Sequence, residues 1–261
     1  ENVSIIPDRV NYIKNTWHHP EHKNDFTITC EAIPTVFMVD KVIIATGLTP
    51  RPLFSPSEED RLVSDGVISY CALCDGHFNK GKSVVVVGDG NAALQTALML
   101  ADIASQVVLV SNVPDFPTTT DYPLVARVKE SHNIYPVFNF ISASVDYDPS
   151  SEIKTLHSSN LSNPIGFTGQ LFVCIGQIPT DIMSCIHTDF QDELSANSGL
   201  LNTYPETYQT AVLGLFAVGD CRSGRHVRQA ITAAAEGAIA ATIAVEQLNN
   251  HRNLTSTSPT K

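Results

Sequence analysis

Apolar side chains fall along this chain in short runs that alternate with polar residues or continue unbroken through β-branched positions, at 37–39, 41–45, 83–87, 107–110, 171–175 and 215–218. Runs of that length and composition predict strands. Four of them end in glycine: Val42-Ile43-Ile44-Ala45-Thr46-Gly47, Val84-Val85-Val86-Val87-Gly88, Phe172-Val173-Cys174-Ile175-Gly176 and Phe216-Ala217-Val218-Gly219. Each reads as a buried strand that delivers the backbone to a tight turn, and ligands of open α/β sheets bind at such carboxyl ends. Between these runs the spacing lengthens to the helical period. Residues 91–102 place Ala93, Leu94, Ala97, Leu98 and Ala101 on one face, and 227–248 predict a long helix rich in Ala and Ile. Alternation of strand and helix predicts an α/β fold.

The pattern breaks where Pro50, Pro52 and Pro56 precede the charged Glu58-Glu59-Asp60-Arg61, and again near Pro179. The expected division is 1–54, 55–178 and 179–261. The central piece is a comfortable domain, whereas each flank is too thin for a core of its own. The flanks are therefore expected to pack together as one discontinuous domain.

Composition narrows the function. The chain is 43% hydrophobic, enough for real cores, and its formal net charge of −11 comes without any Lys/Arg cluster. Nucleic acid and anionic membrane are poor partners for such a surface. No apolar run approaches the roughly 18 residues that cross a bilayer, so no membrane association is expected. The start, Glu1-Asn2-Val3-Ser4, is neither a signal peptide nor an initiator Met. A natural start further upstream and a cytoplasmic location are the expectations. Sequons at Asn2, Asn160 and Asn253 would matter only in a secreted protein.

Of six cysteines, only Cys71 and Cys74 are closely spaced, which is not a disulfide framework. A structural zinc site wants a second pair or nearby ligands, and only His77 is at hand, so no metal site is expected. Cys30, Cys174, Cys185 and Cys221 sit in or beside apolar stretches, as small hydrophobes do. Cys71-Ala72-Leu73-Cys74-Asp75-Gly76 instead suits a reversible disulfide, with Asp75 placed to protonate a leaving thiolate.

Gly88-Asp89-Gly90-Asn91-Ala92-Ala93 follows four valines and opens a predicted helix. Gly88 permits the tight turn, Gly90 lets the backbone approach a pyrophosphate, and Ala93 lets helix and strand pack closely. Asn91 begins the helix whose unpaired N–H groups would face anionic oxygens. At the end of the next strand an acid would hold a ribose 2′-hydroxyl, or an arginine a 2′-phosphate. Ser111-Asn112-Val113 stands there, Asp115 lies slightly beyond, and no Lys or Arg occurs between Leu100 and Ala126.

Taken in order, these segments resemble the low-molecular-weight thioredoxin reductase family of flavoproteins over nearly the whole chain. The likeness runs through Ile43-Ile44-Ala45-Thr46-Gly47, Pro56-Ser57-Glu58-Glu59, Gly66-Val67, the Cys71–Gly76 motif, the Gly88–Ala93 loop, Phe172–Gly176 with Pro179, Leu215-Phe216-Ala217-Val218-Gly219-Asp220 and Arg228-Gln229-Ala230-Ile231-Thr232. The resemblance implies two Rossmann-like, three-layer nucleotide-binding domains, the FAD domain being discontinuous. It implies that Cys74 faces the flavin, Cys71 exchanges with thioredoxin or a similar disulfide, and Asp75 is the general acid. Thr46, Gly47, Gly219, Asp220, Arg228, Gln229 and Ala230 would contact FAD. A homodimer is implied, as is a central domain that rotates on hinges at 50–66 and near Pro179.

Two departures qualify that picture. The family's first strand and G-x-G-x-x-G turn, which hold the FAD pyrophosphate, do not occur before residue 42, so the FAD domain is expected to be incomplete at its N-terminus and to bind FAD poorly. The family's His-Arg-Arg and further Arg, which grip the 2′-phosphate of NADPH, are replaced by Ser111-Asn112-Val113-Pro114-Asp115-Phe116-Pro117. The donor is therefore open among NADPH, NADH, reduced ferredoxin and a substrate dithiol. The competing readings are a ferredoxin-dependent reductase or dithiol oxidase, a redox-inert nucleotide-binding remnant, and a zinc-binding C-x-x-C protein.

Overall fold

The computed structural model describes residues 3–15, 26–187, 191–194, 199–224 and 227–256. The chain separates into two compact units, Glu1–Thr49 with Ile178–Lys261, and Pro50–Gln177. The sequence division lies five residues later at the first crossing and one residue later at the second.

The first unit begins with β1 (Val10–Asn15), β2 (Phe26–Cys30), β3 (Phe37–Val39) and β4 (Val42–Ile44), followed by β5 (Leu48–Pro50) at the crossing. In the second unit follow α1 (Pro56–Ser64), β6 (Ile68–Ser69), α2 (Ala72–Asp75), β7 (Ser83–Val87), α3 (Asn91–Ala101), β8 (Gln106–Val110), α4 (Tyr122–Glu130) and β9 (Ile134–Val137). It is completed by β10 (Ser142–Tyr147), β11 (Lys154–Ser158), β12 (Ile165–Phe167) and β13 (Leu171–Val173). The chain returns through β14 (Gln177–Pro179), which pairs with β5, to β15 (Ile186–His187), α5 (Gln191–Leu194), β16 (Leu215–Ala217) and α6 (Ala230–Ser256).

The second unit is built on a five-stranded sheet in the order β6-β13-β7-β8-β9, with its pairs parallel. The unbroken valines explain why it is covered on both faces. Val84 and Val86 point to one side, into a cluster with Ala93, Leu94, Ala97 and Leu100 of α3 and Val128 of α4. Val85 and Val87 point to the other, against Leu62 of α1 and against Val145, Leu156 and Phe167. Those last three belong to an antiparallel sheet, β10-β11-β12, which forms the third layer where helices would stand in a doubly wound fold. Burying one such aliphatic side chain contributes about 1.5–3 kcal/mol, and the valines supply this on both faces at once.

In the first unit β1, β2 and β3 form an antiparallel run with β15 parallel to β1. Separately, β4 pairs in parallel with β16, matching Val42 to Leu215 and Ile44 to Ala217. This pairing brings the two flanks of the sequence into one core that includes Ile13, Phe26, Ile44, Leu201 and Leu215. The last helix starts three residues later than the sequence predicts and runs on to Ser256, so Val227, Arg228 and Gln229 precede it. Residues Ala230–Asn250 are long and apolar enough, at mean hydropathy 1.2, to cross a membrane by length and composition alone. That corrects the expectation that no such stretch exists; its scattered Glu236 and Glu246 hide the run from the eye. Ala240 and Ala244 pack this helix on Phe216 and Val218.

Candidate redox site and nucleotide cavity

Cys71 and Cys74 are joined in a disulfide. The single turn α2 places them. Cys71 caps it, its Sγ accepting from the Cys74 N–H at 3.1 Å, while the Asp75 N–H donates to the Cys71 carbonyl at 3.0 Å. Beneath the pair lies Ser69, which is 3% exposed and ends β6. Its hydroxyl donates to Asp75 Oδ2 at 2.7 Å and accepts from the Cys71 N–H at 3.1 Å. One buried hydroxyl thus fixes both the backbone of the first cysteine and the carboxylate beside the second, as a buried polar group must be paired. Asn79, itself buried, donates to the Asp75 carbonyl at 3.0 Å and exchanges hydrogen bonds with Gln170, tying the turn to the start of β13.

Exposure differs across the disulfide. Cys74 is exposed and Cys71 half-buried, with Leu73 and Phe78 standing out beside them at 87% and 61% exposure. Preceding the pair, the Tyr70 hydroxyl donates to Glu59, and burial followed by this bond raises the phenol well above its ordinary value. Glu59 is buried and also accepts from the Leu53 and Phe54 N–H groups at 3.2 and 3.0 Å. Its place in the Pro56-Ser57-Glu58-Glu59 motif is explained: it fastens the incoming linker to the turn that carries the cysteines.

The glycine loop lies at the carboxyl end of the same sheet. Gly88 has φ +139°, and a Cβ there would meet the Cys174 carbonyl oxygen at 2.4 Å and the Ala93 Cβ at 3.1 Å. Only glycine allows β7, β13 and α3 to converge so closely. A Cβ on Gly90 would meet nothing within 4 Å, so its space is open toward a cavity of about 640 Å³. This cavity is lined by the loop, by Ser111 and Asn112 after β8, by Cys174–Gly176 after β13, and by Arg51 and Phe140. The first N–H groups of α3, from Asn91 onward, have no intrahelical acceptor, since the first α-helical bond closes from Leu94 to Gly90. Volume, open glycine and helix N-terminus together fit a nicotinamide dinucleotide.

The flavin-assigned residues form their own group in the first unit. Because β4 and β16 are parallel, Thr46 and Gly47 leave one strand at the same end at which Gly219 and Asp220 leave the other. Gly47 has φ +66° and open space where a Cβ would be; Gly219 has φ +73°. The Gly219 N–H donates at 2.7 Å to Glu236, which is 6% exposed and held by Arg222 through two bonds of 2.6 and 3.0 Å. Glu236 keeps the Arg222 guanidinium above even its usual high value. Removing one partner of a buried pair costs about 3–5 kcal/mol, so this ion pair locks the turn onto α6. Arg228, Gln229 and Ala230 are exposed just where α6 begins. Sequence reasoning overlooked Ser69, Glu59, Arg222 and Glu236; only Glu59 lay within a motif that could have revealed it.

Comparison with known proteins decides what these two groups of residues belong to. The family described as pyridine nucleotide-disulphide oxidoreductase matches residues 20–237. The chain belongs to that family. Within it, the chain is 33% identical over 228 residues to a thioredoxin reductase of Buchnera aphidicola (Schizaphis graminum), covering 82% of this chain and 67% of that one. It is 35% identical to a protein of Pseudomonas fluorescens named glucosaminate ammonia-lyase, covering 83% and 66%. The solved thioredoxin reductase of Giardia duodenalis superposes with a TM-score of 0.68 at 27% identity, over 94% of this chain and 75% of that one. The chain thus spans about two thirds of the length of the relatives named. Membership of the family's thioredoxin reductase branch implies FAD and chemistry at sulfur. The open Gly47, the Gly219 turn and the N-terminal end of α6 fit the flavin's electron-rich oxygens.

Proposed function

We propose that the chain is a thioredoxin reductase-like, FAD-dependent disulfide oxidoreductase that passes electron pairs through Cys71 and Cys74 to thioredoxin or another disulfide partner. The observation that carries this reading is the Cys71–Cys74 disulfide with Ser69 and Asp75 fixed directly beneath it. FAD, when bound, supplies the electron pair that opens the disulfide. Thr46, Gly47, Gly219, Asp220, Arg228, Gln229 and Ala230 would hold it. The reduced Cys71 thiolate then attacks a partner disulfide, forming a mixed disulfide and expelling one partner thiolate, which Asp75 protonates. Cys74 attacks Cys71 Sγ, restores the intramolecular disulfide and releases the second partner thiol. Ser69, by its bond to Asp75 Oδ2, fixes the orientation of that carboxyl.

The assignment of Cys71 to the partner rests on family position, because exposure alone favours attack at Cys74. Leu73 and Phe78 offer an apolar rim suited to a protein partner. The unpaired Cys30, Cys174, Cys185 and Cys221 suit a reducing compartment, and we place the protein in the cytoplasm. We also infer a homodimer, for which Ile231, Ile239 and Val245 supply exposed apolar surface on α6; sedimentation at two concentrations tests it. The central test is thiol transfer. Protein reduced with a dithiol and freed of it should reduce the disulfide of oxidised thioredoxin to two thiols while the Cys71–Cys74 disulfide re-forms, and a pair that never re-oxidises in this way sinks the proposal.

A further inference from the structure

We propose that Asp89, held by Ser111, makes the cavity select a dinucleotide with a free ribose 2′-hydroxyl, NADH, against its 2′-phosphorylated counterpart. The inference rests on the proposed oxidoreductase function and takes this cavity as the place of its electron donor. The lining crosses the ends of three adjacent strands, from Gly176 beyond β13 through Gly88 beyond β7 to Ser111 and Asn112 beyond β8. Strands lie about 4.8 Å apart, so the outer two ends are separated by about 10 Å. In such sheets the adenosine ribose lies at the end of the second strand, here β8, where an acid reads its 2′-hydroxyl.

No acid follows β8 directly, yet a carboxylate reaches that place from the glycine loop. Asp89 Oδ2 accepts from the Ser111 hydroxyl at 3.1 Å, and Ser111 is 3% exposed with its oxygen also accepting from the Val113 N–H. The rest of the segment is stitched to the same loop. Thr120 Oγ1 donates to the Asp89 carbonyl at 3.1 Å, and the Asp121 N–H donates to Asn91 Oδ1 at 2.8 Å. Asp89 Oδ1 accepts no hydrogen bond among the described residues, leaving an acceptor for a ribose hydroxyl.

Charge acts in the same direction. Asp89 is the carboxylate in the lining, and the segment that follows β8 carries Asp115 and Asp121 while no Lys or Arg occurs between Leu100 and Ala126. Arg51 is the cation in the lining, and its main-chain N–H donates to the Gly176 carbonyl at 3.0 Å, which sets its backbone at the β13 end of the cavity. A 2′-phosphate would bring up to two negative charges against Asp89 with nothing to neutralise them, whereas a hydroxyl would donate to it.

Binding to the oxidised protein tests this without any turnover, using NADH and NADPH together with ADP-ribose and its 2′-phosphate as redox-inert probes in calorimetry. The unphosphorylated member of each pair should bind about 100-fold more tightly. Asp89→Asn and Ser111→Ala should each shrink that ratio at least about tenfold, and Asn112→Arg should raise affinity for the 2′-phosphorylated probes. Equal or tighter binding of the phosphorylated probes, no binding of any probe, or a ratio unmoved by the Asp89 and Ser111 variants would overturn the inference. Thiol transfer to thioredoxin is measured separately, so selection can fail while the oxidoreductase reading stands, and the reverse.

Discussion

The cysteine turn and the nucleotide cavity stand on one sheet, yet the sequence treats them differently. At the turn the disulfide and Asp75 lie together, and the buried Ser69 holds Asp75. At the cavity the backbone features are Gly88, Gly90 and the start of α3, while the edge at β8 is set by the bond between Ser111 and Asp89, the pair proposed to read a ribose. Bond-making chemistry depends on particular atoms, so its residues are not interchangeable. Binding by main-chain N–H groups needs only a backbone path, which leaves recognition at its edge free to change.

The largest expected break in this contrast comes from the thiols. Cys71→Ser or Cys74→Ser should lower thiol transfer by about three orders of magnitude or more while leaving dinucleotide binding intact. Loss of dinucleotide binding in either variant would show that the two sites are not separable. Next comes Asp75→Asn, expected to slow transfer about 100-fold as a lost proton donor does, with Ser69→Ala giving a smaller fall in the same rate. A pH–rate profile unchanged in both variants would remove Asp75 from proton transfer.

Gly88→Ala acts on the other region. It forces a Cβ into the Cys174 carbonyl at an unfavourable φ, and should cost about 2–4 kcal/mol, read as a lowered thermal midpoint. An unchanged midpoint would mean that the β7–β13 contact is looser than described. The smallest effect is expected at Tyr70. Burial, and then the bond to Glu59, raises its phenol above the ordinary value of about 10. Its contribution is therefore complete below about pH 10 and is lost as the pH rises through the folded-state value. Chemical unfolding should show stability falling in that alkaline range, and Tyr70→Phe should flatten the fall.

What could be read from the sequence followed the density of the signal. The valines of β7 and β8 are buried on both faces and announce themselves. In β10 and β11, Val145 and Leu156 are the buried side chains of six- and five-residue strands, too thin an alternation to stand out, so periodicity does not reveal that strands form the third layer. β1 is similar, with Ile13 as its buried residue. At the site, contiguous motifs exposed Cys71, Cys74, Asp75 and the glycine loop. Ser111 with Asp89, and Arg222 with Glu236, are 22 and 14 residues apart and meet only because of strand register and helix placement. No local pattern marks such pairs.

The most direct test of the central claim is a trap. Cys74→Ser protein mixed with oxidised thioredoxin, or with thioredoxin carrying an activated thiol, should accumulate one mixed disulfide, and peptide mapping should place it on Cys71. Cys71→Ser should accumulate far less. Linkage through Cys74 instead, through any of Cys30, Cys174, Cys185 and Cys221, or no linkage at all would contradict the assignment.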